Sequence, residues 1–309
     1  MSGGTGPAVA TGSVAGTSRA VLTAVGKGLL NAAITVGIVL AAWQALIMSG
    51  KISPYVAKGP LDVWRFLFVT DPDARATAGE RRELLFDLAA VSLKDAAIGF
   101  VVGMAIAIVL AVLFTLSKTV ERGVMPLALL LRSIPLVSIA PVIILLTGRG
   151  TTASVAVIGS IVVLFPALAS VLFGLSRANR ESLDLVRVYG GGNLAALLKV
   201  AIPGALPSLL AAARVSVPGA VTGALLAEWL STGKGVGGQI VKFNAAAQFD
   251  NLWASVAIIT LVTLLLYIPL LLVFVVILTH IETAGSLEEY DTPPLGGLAG
   301  PNATDGNAT

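Results

Sequence analysis

The chain contains no cysteine, which excludes disulfides, thiolate metal sites and cysteine nucleophiles. Histidine is nearly absent as well. The only one, His280, stands at the end of the last apolar run and reads as an interfacial residue at a helix C-terminus. A single imidazole cannot build a histidine metal cluster and leaves little for acid–base chemistry. No catalytic, cofactor-binding or metal-binding residues are therefore expected. Charge is scarce too: 12% of the 309 residues are Asp, Glu, Lys or Arg, too few for the water-facing shell of a soluble domain of this length. The formal net charge of +3, with no basic patch interleaved with aromatics, argues against nucleic acid as a partner. A Walker A sequence is missing, so the chain is not expected to hydrolyse ATP itself. The stretch 233–238 matches G-x-G-x-x-G formally, but it follows an apolar run with no βαβ pattern, so dinucleotide binding is not expected.

Apolar residues, by contrast, are abundant: they make up 56% of the chain, and the mean hydropathy is +0.92. Runs of this kind belong in lipid. Residues 1–27 are rich in Gly, Ala, Ser and Thr and read as disordered, with 28–50 as a first transmembrane helix that is retained. Residues 51–90 form a charged external or interfacial segment, with an amphipathic piece at Trp64, Phe66 and Phe68. Five further spans are expected near 91–117, 123–147, 153–175, 204–230 and 253–280, so that 91–282 forms the core and 283–309 a disordered tail. The fold class is an all-α membrane protein of about six transmembrane helices. Lys118, Arg122, Arg177, Arg180, Arg187 and Lys199 concentrate in two loops of one side, which favours cytoplasmic termini and a multi-pass protein of the cell membrane. Lys51, Lys58, Arg65, Arg75, Arg81 and Arg82 on the opposite side pull the other way.

The informative stretch is the polar loop 180–203. It reads as a short helix capped by Ser182, a glycine turn at 190–192, a second short helix from Asn193 and a restart at Pro203. Leu183, Val186, Leu194, Leu197 and Leu198 give it an apolar side. A connection needing only to join two spans would be shorter and more polar. The loop suits docking on another protein, or else lies on lipid headgroups.

Gly190 followed by Pro203 resembles the signature of binding-protein-dependent ABC transporter permeases. In that family a Glu-Ala-Ala triplet six residues before the glycine docks into the ATPase. Here those positions hold Asp184, Leu185 and Val186, so the acid is kept in kind and both alanines are enlarged. Arg132-Ser-Ile-Pro135, Pro203-Gly-Ala-Leu-Pro207, Arg214 with Glu228, and Gly235-Val-Gly-Gly-Gln-Ile resemble the nitrate, sulfonate and taurine branch, over roughly residues 84–280. Pro218 and Val221 stand where relatives more often carry glycine and tryptophan. The resemblance implies a type I importer permease with the MetI-like fold and no enzyme activity of its own. It also implies two ABC ATPase subunits, a second permease copy, an external solute-binding protein and the lipid bilayer as partners. The implied cargo is a small polar solute such as a sulfonate, taurine, nitrate or a pyrimidine.

Two sets of residues carry the expected function. Glu181, Asp184, Arg187, Tyr189, Gly190, Asn193 and Pro203 belong to the ATPase-docking loop. Arg132, Arg214 and Glu228 are candidates for the translocation pathway because a lipid-facing charge in a span is costly, and Ser133, Ser138 and Thr222 because their hydroxyls offer hydrogen bonds to a passing solute. Arg214 and Glu228 fall about 40° apart around a helix but about 21 Å apart along it, so they share a face without pairing. The alternatives are snorkelling or ion pairs with other helices for the charges, and hydrogen bonds back to their own helices for the hydroxyls. A self-sufficient secondary transporter or channel is the alternative function, although no inverted repeat is visible.

Overall fold

The computed structural model describes residues 13–50, 53–72 and 76–268. The expectations for residues 1–12, for His280, for the close of the last span and for the tail lie outside them. Regular structure among the described residues is entirely helical. Helix α1 spans Ser13–Met48, α2 Pro60–Phe68 and α3 Ala78–Leu116. They are followed by α4 (Lys118–Ser133), α5 (Leu136–Thr147), α6 (Thr152–Ser176) and α7 (Arg180–Val188). From α8 (Asn193–Ala196) the chain runs through a π-helical turn, Leu197–Ala201, into α9 (Ile202–Ala227). A second π-helical turn, Glu228–Thr232, precedes α10 (Gly235–Ala245), and α11 is described over Phe249–Ile268.

Among the described residues five stretches are long and apolar enough to cross a membrane: Gly26–Met48, Ala78–Leu116, Thr152–Ser176, Asn193–Thr232 and Phe249–Ile268. The expected crossing at 123–147 is two helices, broken between Ser133 and Leu136. Pro135 has no N–H to return to the preceding turn, and its ring pushes Ile134 out of the helical region. The 12 residues of α5 rise about 18 Å, short of the roughly 30 Å hydrocarbon core. Pro141, Pro166 and Pro218 lie inside helices that run through them.

Helix α3 starts at Ala78, well before residue 91, because Thr77 and Glu80 form a capping box. The Thr77 hydroxyl accepts from the Glu80 amide at 3.2 Å, and the Glu80 carboxylate accepts from the Thr77 amide at 2.7 Å. The amphipathic piece is real, but its aromatics divide. In α2, Val63 and Leu67 are buried, while exposed Trp64 packs on exposed Phe68 with ring centroids 4.2 Å apart. Phe66 lies under the Arg81 guanidinium at 4.6 Å.

The core is α3, α6 and α9, with α6 packed along both others. On α3 the buried stripe is Leu85, Ala89, Ser92, Ala96, Gly99, Gly103, Ala107, Ala111 and Phe114, a three-and-four spacing of mostly small residues. In lipid, where apolar burial gives helices no reason to associate, such residues let backbones touch. A Cβ on Gly99 would stand 2.8 Å from the Gly159 Cα, and one on Gly223 would stand 2.9 Å from the same atom. Three helices therefore meet backbone to backbone at Gly159. A strap ties the end of α1 to the start of α11: Trp43 stacks on Trp253 at 5.5 Å, the Trp253 indole N–H donates to the Val56 carbonyl at 2.9 Å, and Lys58 pairs with Asp250 at 3.2 Å.

Candidate functional site

The 180–203 loop is largely helical, exposed over most of α7 and the turn that follows and buried at Ala196, Leu197 and Ala201. Helix α7 is capped by Asn179 rather than Ser182: the Asn179 side-chain oxygen accepts from the Glu181 amide at 2.9 Å. Its other end closes as a Schellman motif, with the Gly191 amide donating to Val186 O at 2.8 Å and the Gly190 amide to Arg187 O at 2.9 Å. That motif needs a left-handed residue, and Gly190 supplies it at φ +80°. Leu183 and Val186 are half-buried and Leu197 is buried, so part of the expected apolar side faces inward.

What faces outward is also apolar. Leu185, Val188 and Tyr189 are 59%, 82% and 84% exposed, and Leu194 and Leu198 join them. Glu181, Asp184, Arg187, Gly190, Asn193 and Pro203 are exposed as well. The Asp184–Arg187 ion pair, at 3.1 Å, is open to solvent and contributes little to stability. An apolar, aromatic tip on a charged loop suits contact with another protein or with lipid headgroups. The helix does not restart at Pro203. Instead α8, the π-helical turn and α9 form one rod, Asn193–Thr232, and the wider π turn accommodates the proline that follows it.

Along this rod, Pro207, Ala211, Val215, Pro218 and Thr222 line three clefts from one face of α9. The first cleft, about 510 Å³, lies between α9 and Ser170, Phe173 and Arg177. The second, about 580 Å³, opens at the α4–α5 break and is lined by Arg132, Pro135, Leu136, Phe165, Ser170 and Val215. The third, about 630 Å³, lies between α9 and α11, with Val215, Thr222, Thr263 and Tyr267 in its wall. Shared walls join them: Ala169 and Ser170 for the first two, and Val215 for the last two.

The structure brings some of the expected pathway residues to these clefts and holds others away. Arg132 and Thr222 line them, and Arg214 is half-buried beside the Tyr267 ring, 6.0 Å from its centroid. The hydroxyls of Ser133 and Thr222 donate to Leu130 O and Pro218 O of their own helices, at 2.7 and 2.9 Å. Ser138 is exposed on α5, and Ser216 is fully buried.

Glu228 is sealed inside the subunit, at 0% exposure. One carboxylate oxygen accepts from the Ser92 hydroxyl and from the Gly237 amide, both at 2.8 Å. The Ser92 oxygen accepts in turn from the Val236 amide at 2.8 Å. These two side chains therefore cap the N-terminus of α10 from other elements. Gly235, at φ +60°, lies against the carboxylate where any Cβ would overlap it. The glycine-rich 233–238 stretch is thus a tight turn fitted around an acid. Nothing in the sequence marked Ser92 as a partner, because it lies 136 positions from Glu228.

The sequence model of the family described as "Binding-protein-dependent transport system inner membrane component" matches residues 99–284, more than half of the chain. A probable ABC transporter permease protein of Haemophilus influenzae is 29% identical over 239 residues, covering 77% of this chain and 93% of its own length. A formylaminopyrimidine transport permease protein of Halalkalibacterium halodurans is 28% identical over 170 residues, or 53% of this chain and 67% of that protein. A putative aliphatic sulfonates transport permease protein of Bacillus subtilis is 26% identical over 236 residues, or 76% and 80% respectively.

Proposed function

Because the chain belongs to the family of binding-protein-dependent transport system inner membrane components, we propose that it is the permease subunit of an ATP-driven importer of the cytoplasmic membrane. Two copies form the pathway, an external solute-binding protein delivers a small polar solute, and two separate ATPase subunits dock on the 180–203 loops. The termini are cytoplasmic. Alternating access supplies the transport step: ATP-driven closure of the ATPases favours one arrangement of the permease pair over the other.

One observation carries this reading. The second half of the exposed loop, from Asn193, and the cleft-lining helix are parts of a single rod, Asn193–Thr232. Force on Leu185, Val188 and Tyr189 reaches it through α7, which packs on α8 and the π-helical turn, and so moves the wall formed by Pro207, Ala211, Val215, Pro218 and Thr222. The clefts are walled mainly by aliphatic and aromatic side chains with a few hydroxyls and the guanidiniums of Arg132 and Arg177, a sparse set of polar groups that suits passage of a solute rather than tight capture.

The docking assignment is tested by copurification. Gly190→Val forces a β-branched residue into φ +80° and opens the Schellman turn. Leu185→Ala combined with Tyr189→Ala strips the apolar tip without touching the turn. Both variants should reach the membrane at normal levels and lose most of the copurifying ATPase. Full ATPase retention in both would overturn the assignment.

A further inference from the structure

Helix α2 carries more apolar surface than the core uses. Val63 and Leu67 are buried, in the same cluster as Leu85 of α3. On the opposite side Leu61, Trp64 and Phe68 are all exposed, at the three-and-four spacing that places them in one stripe. Trp64 and Phe68 pack on each other, so the stripe is continuous. Arg65, also exposed, falls about 40° from Leu61 around the helix and flanks the stripe. An apolar surface of this kind, rimmed by charge, marks a contact.

The neighbouring elements set the height at which that contact is made. Tryptophan collects where the hydrocarbon core meets the headgroups. Trp43 lies near the end of the span Gly26–Met48 and Trp253 near the start of Phe249–Ile268, and their rings stack. The segment leading into α2 is fastened at the same level. Val56 O accepts from the Trp253 indole, Lys58 pairs with Asp250, and Tyr55 meets the Phe249 ring edge-on at 5.3 Å. Gly59 passes so close to α1 that a Cβ there would stand 2.8 Å from the Gln44 side-chain oxygen. Helix α2 therefore starts beside the last turns of a membrane span. Its other end is held by the charged first turns of α3. The Arg82 guanidinium donates to Leu67 O at 3.1 Å and that of Arg81 to Val69 O at 2.8 Å, occupying carbonyls left open at the helix end.

We propose that α2 is a membrane-surface anchor: the Leu61–Trp64–Phe68 stripe lies in the boundary layer of a phospholipid leaflet, with Arg65 against lipid phosphate. Amphipathic helices bind in this way when the apolar face sinks below the headgroups and the basic side chains stay among them. The helix is inclined, so that Leu61, near Gln44, enters deeper than Phe68 and Val69, near Arg82 and Arg81. Such an anchor steadies the protruding end of α3, one of the three core helices. The lipid contact does not depend on the transport reading, which decides only that this leaflet is the outer one. No residue of α2 lines the three clefts, so neither outcome of the test alters the pathway.

Because the chain has no cysteine, Leu61→Cys or Val69→Cys places a single nitroxide on α2. In the assembled complex, in bilayers of phosphatidylethanolamine and phosphatidylglycerol, power saturation compares collisions with oxygen, which concentrates in lipid, and with a nickel chelate, which stays in water. Oxygen should dominate at residue 61, and the oxygen-to-nickel ratio should be several-fold lower at residue 69. Arg65→Glu should lower the ratio at residue 61. Nickel dominance at residue 61 overturns the anchor, and shielding of that label by added solute-binding protein would hand the stripe to that protein. A label at residue 61 reached by neither reagent also overturns it, since the face is then covered by protein. If the labelled variants do not assemble, Trp64→Phe decides. The emission lost with Trp64 should be quenched by brominated phospholipid, and a difference emission that brominated lipid leaves unquenched refutes the proposal.

Discussion

At Gly159 the backbones of three helices touch, and a single methyl group is the smallest available probe of that contact. A Cβ there would stand 2.8 Å from the Gly99 Cα, a backbone atom that cannot swing aside, so Gly159→Ala must part α6 from α3. The expected loss is about 1–3 kcal/mol, typical of overpacking, read as a lower unfolding midpoint in detergent. Gly204→Ala, with nothing within 4 Å of the added carbon, should change little. The Glu228 cap allows a second test. Ser92→Ala strands the Val236 amide and Glu228→Ala strands the Gly237 amide, each costing about 1–3 kcal/mol for a buried unsatisfied group. The double variant should cost less than the sum, because Ser92 and Glu228 also bond each other at 2.8 Å; strict additivity would refute the shared cap. The sequence showed half of each arrangement. The G-x-x-x-G of Gly99 and Gly103 is visible in the sequence, but their partner Gly159 is not, because the lipid-facing side of a span is as apolar as its packed side. A charge in an apolar run marked Glu228 as inward-facing, yet polarity alone does not distinguish a pathway from a buried cap.

Among the elements, the legible boundaries were those with local chemistry. The α7–α8 turn was readable because a Schellman motif demands glycine where Gly190 stands. The T-x-x-E box at Thr77–Glu80 carried equally local information for the start of α3, but charge in 78–90 outweighed it, since Glu80, Arg81, Arg82, Glu83 and Asp87 read as a water-exposed segment. The helix extends through them because it is long, 39 residues, or about 58 Å, and so outruns the bilayer core. The break at Pro135 was less legible, since prolines at 141, 166 and 218 lie in continuous helices. Pro135 borders a cleft together with Arg132 and Leu136, so freed carbonyls there need not face lipid. Pro135→Ala should let α4 and α5 fuse towards one rod. Spin labels at Val124 and Ile144 should then report a longer and narrower separation, with an unchanged distance distribution as the refuting result.

Across the whole molecule, function requires that motion at the 180–203 loop reach the clefts without being absorbed. The continuous rod Asn193–Thr232 provides the route, but it contains a π-helical turn at Leu197–Ala201, where the hydrogen-bond ladder is looser than in an α-helix. That turn stays stiff because Leu197 and Ala201 are buried at 3% exposure against the core, leaving Lys199 and Val200 on its outer part. Replacing Lys199 and Val200 together by glycine softens the junction while sparing both the docking tip and the buried contacts. In the parent complex, spin labels at Asp184 and Thr222 should both shift between nucleotide-free and vanadate-trapped states. In the glycine pair variant the Asp184 label should still shift and ATP should still be hydrolysed, while the Thr222 label stays in place. The ordering follows from the geometry, since everything on the loop side of the softened turn remains attached to the ATPase and everything beyond it moves only through that turn. Equal shifts at both labels in the variant would mean that coupling passes through α6 and the remainder of the core, and the rod would lose its role.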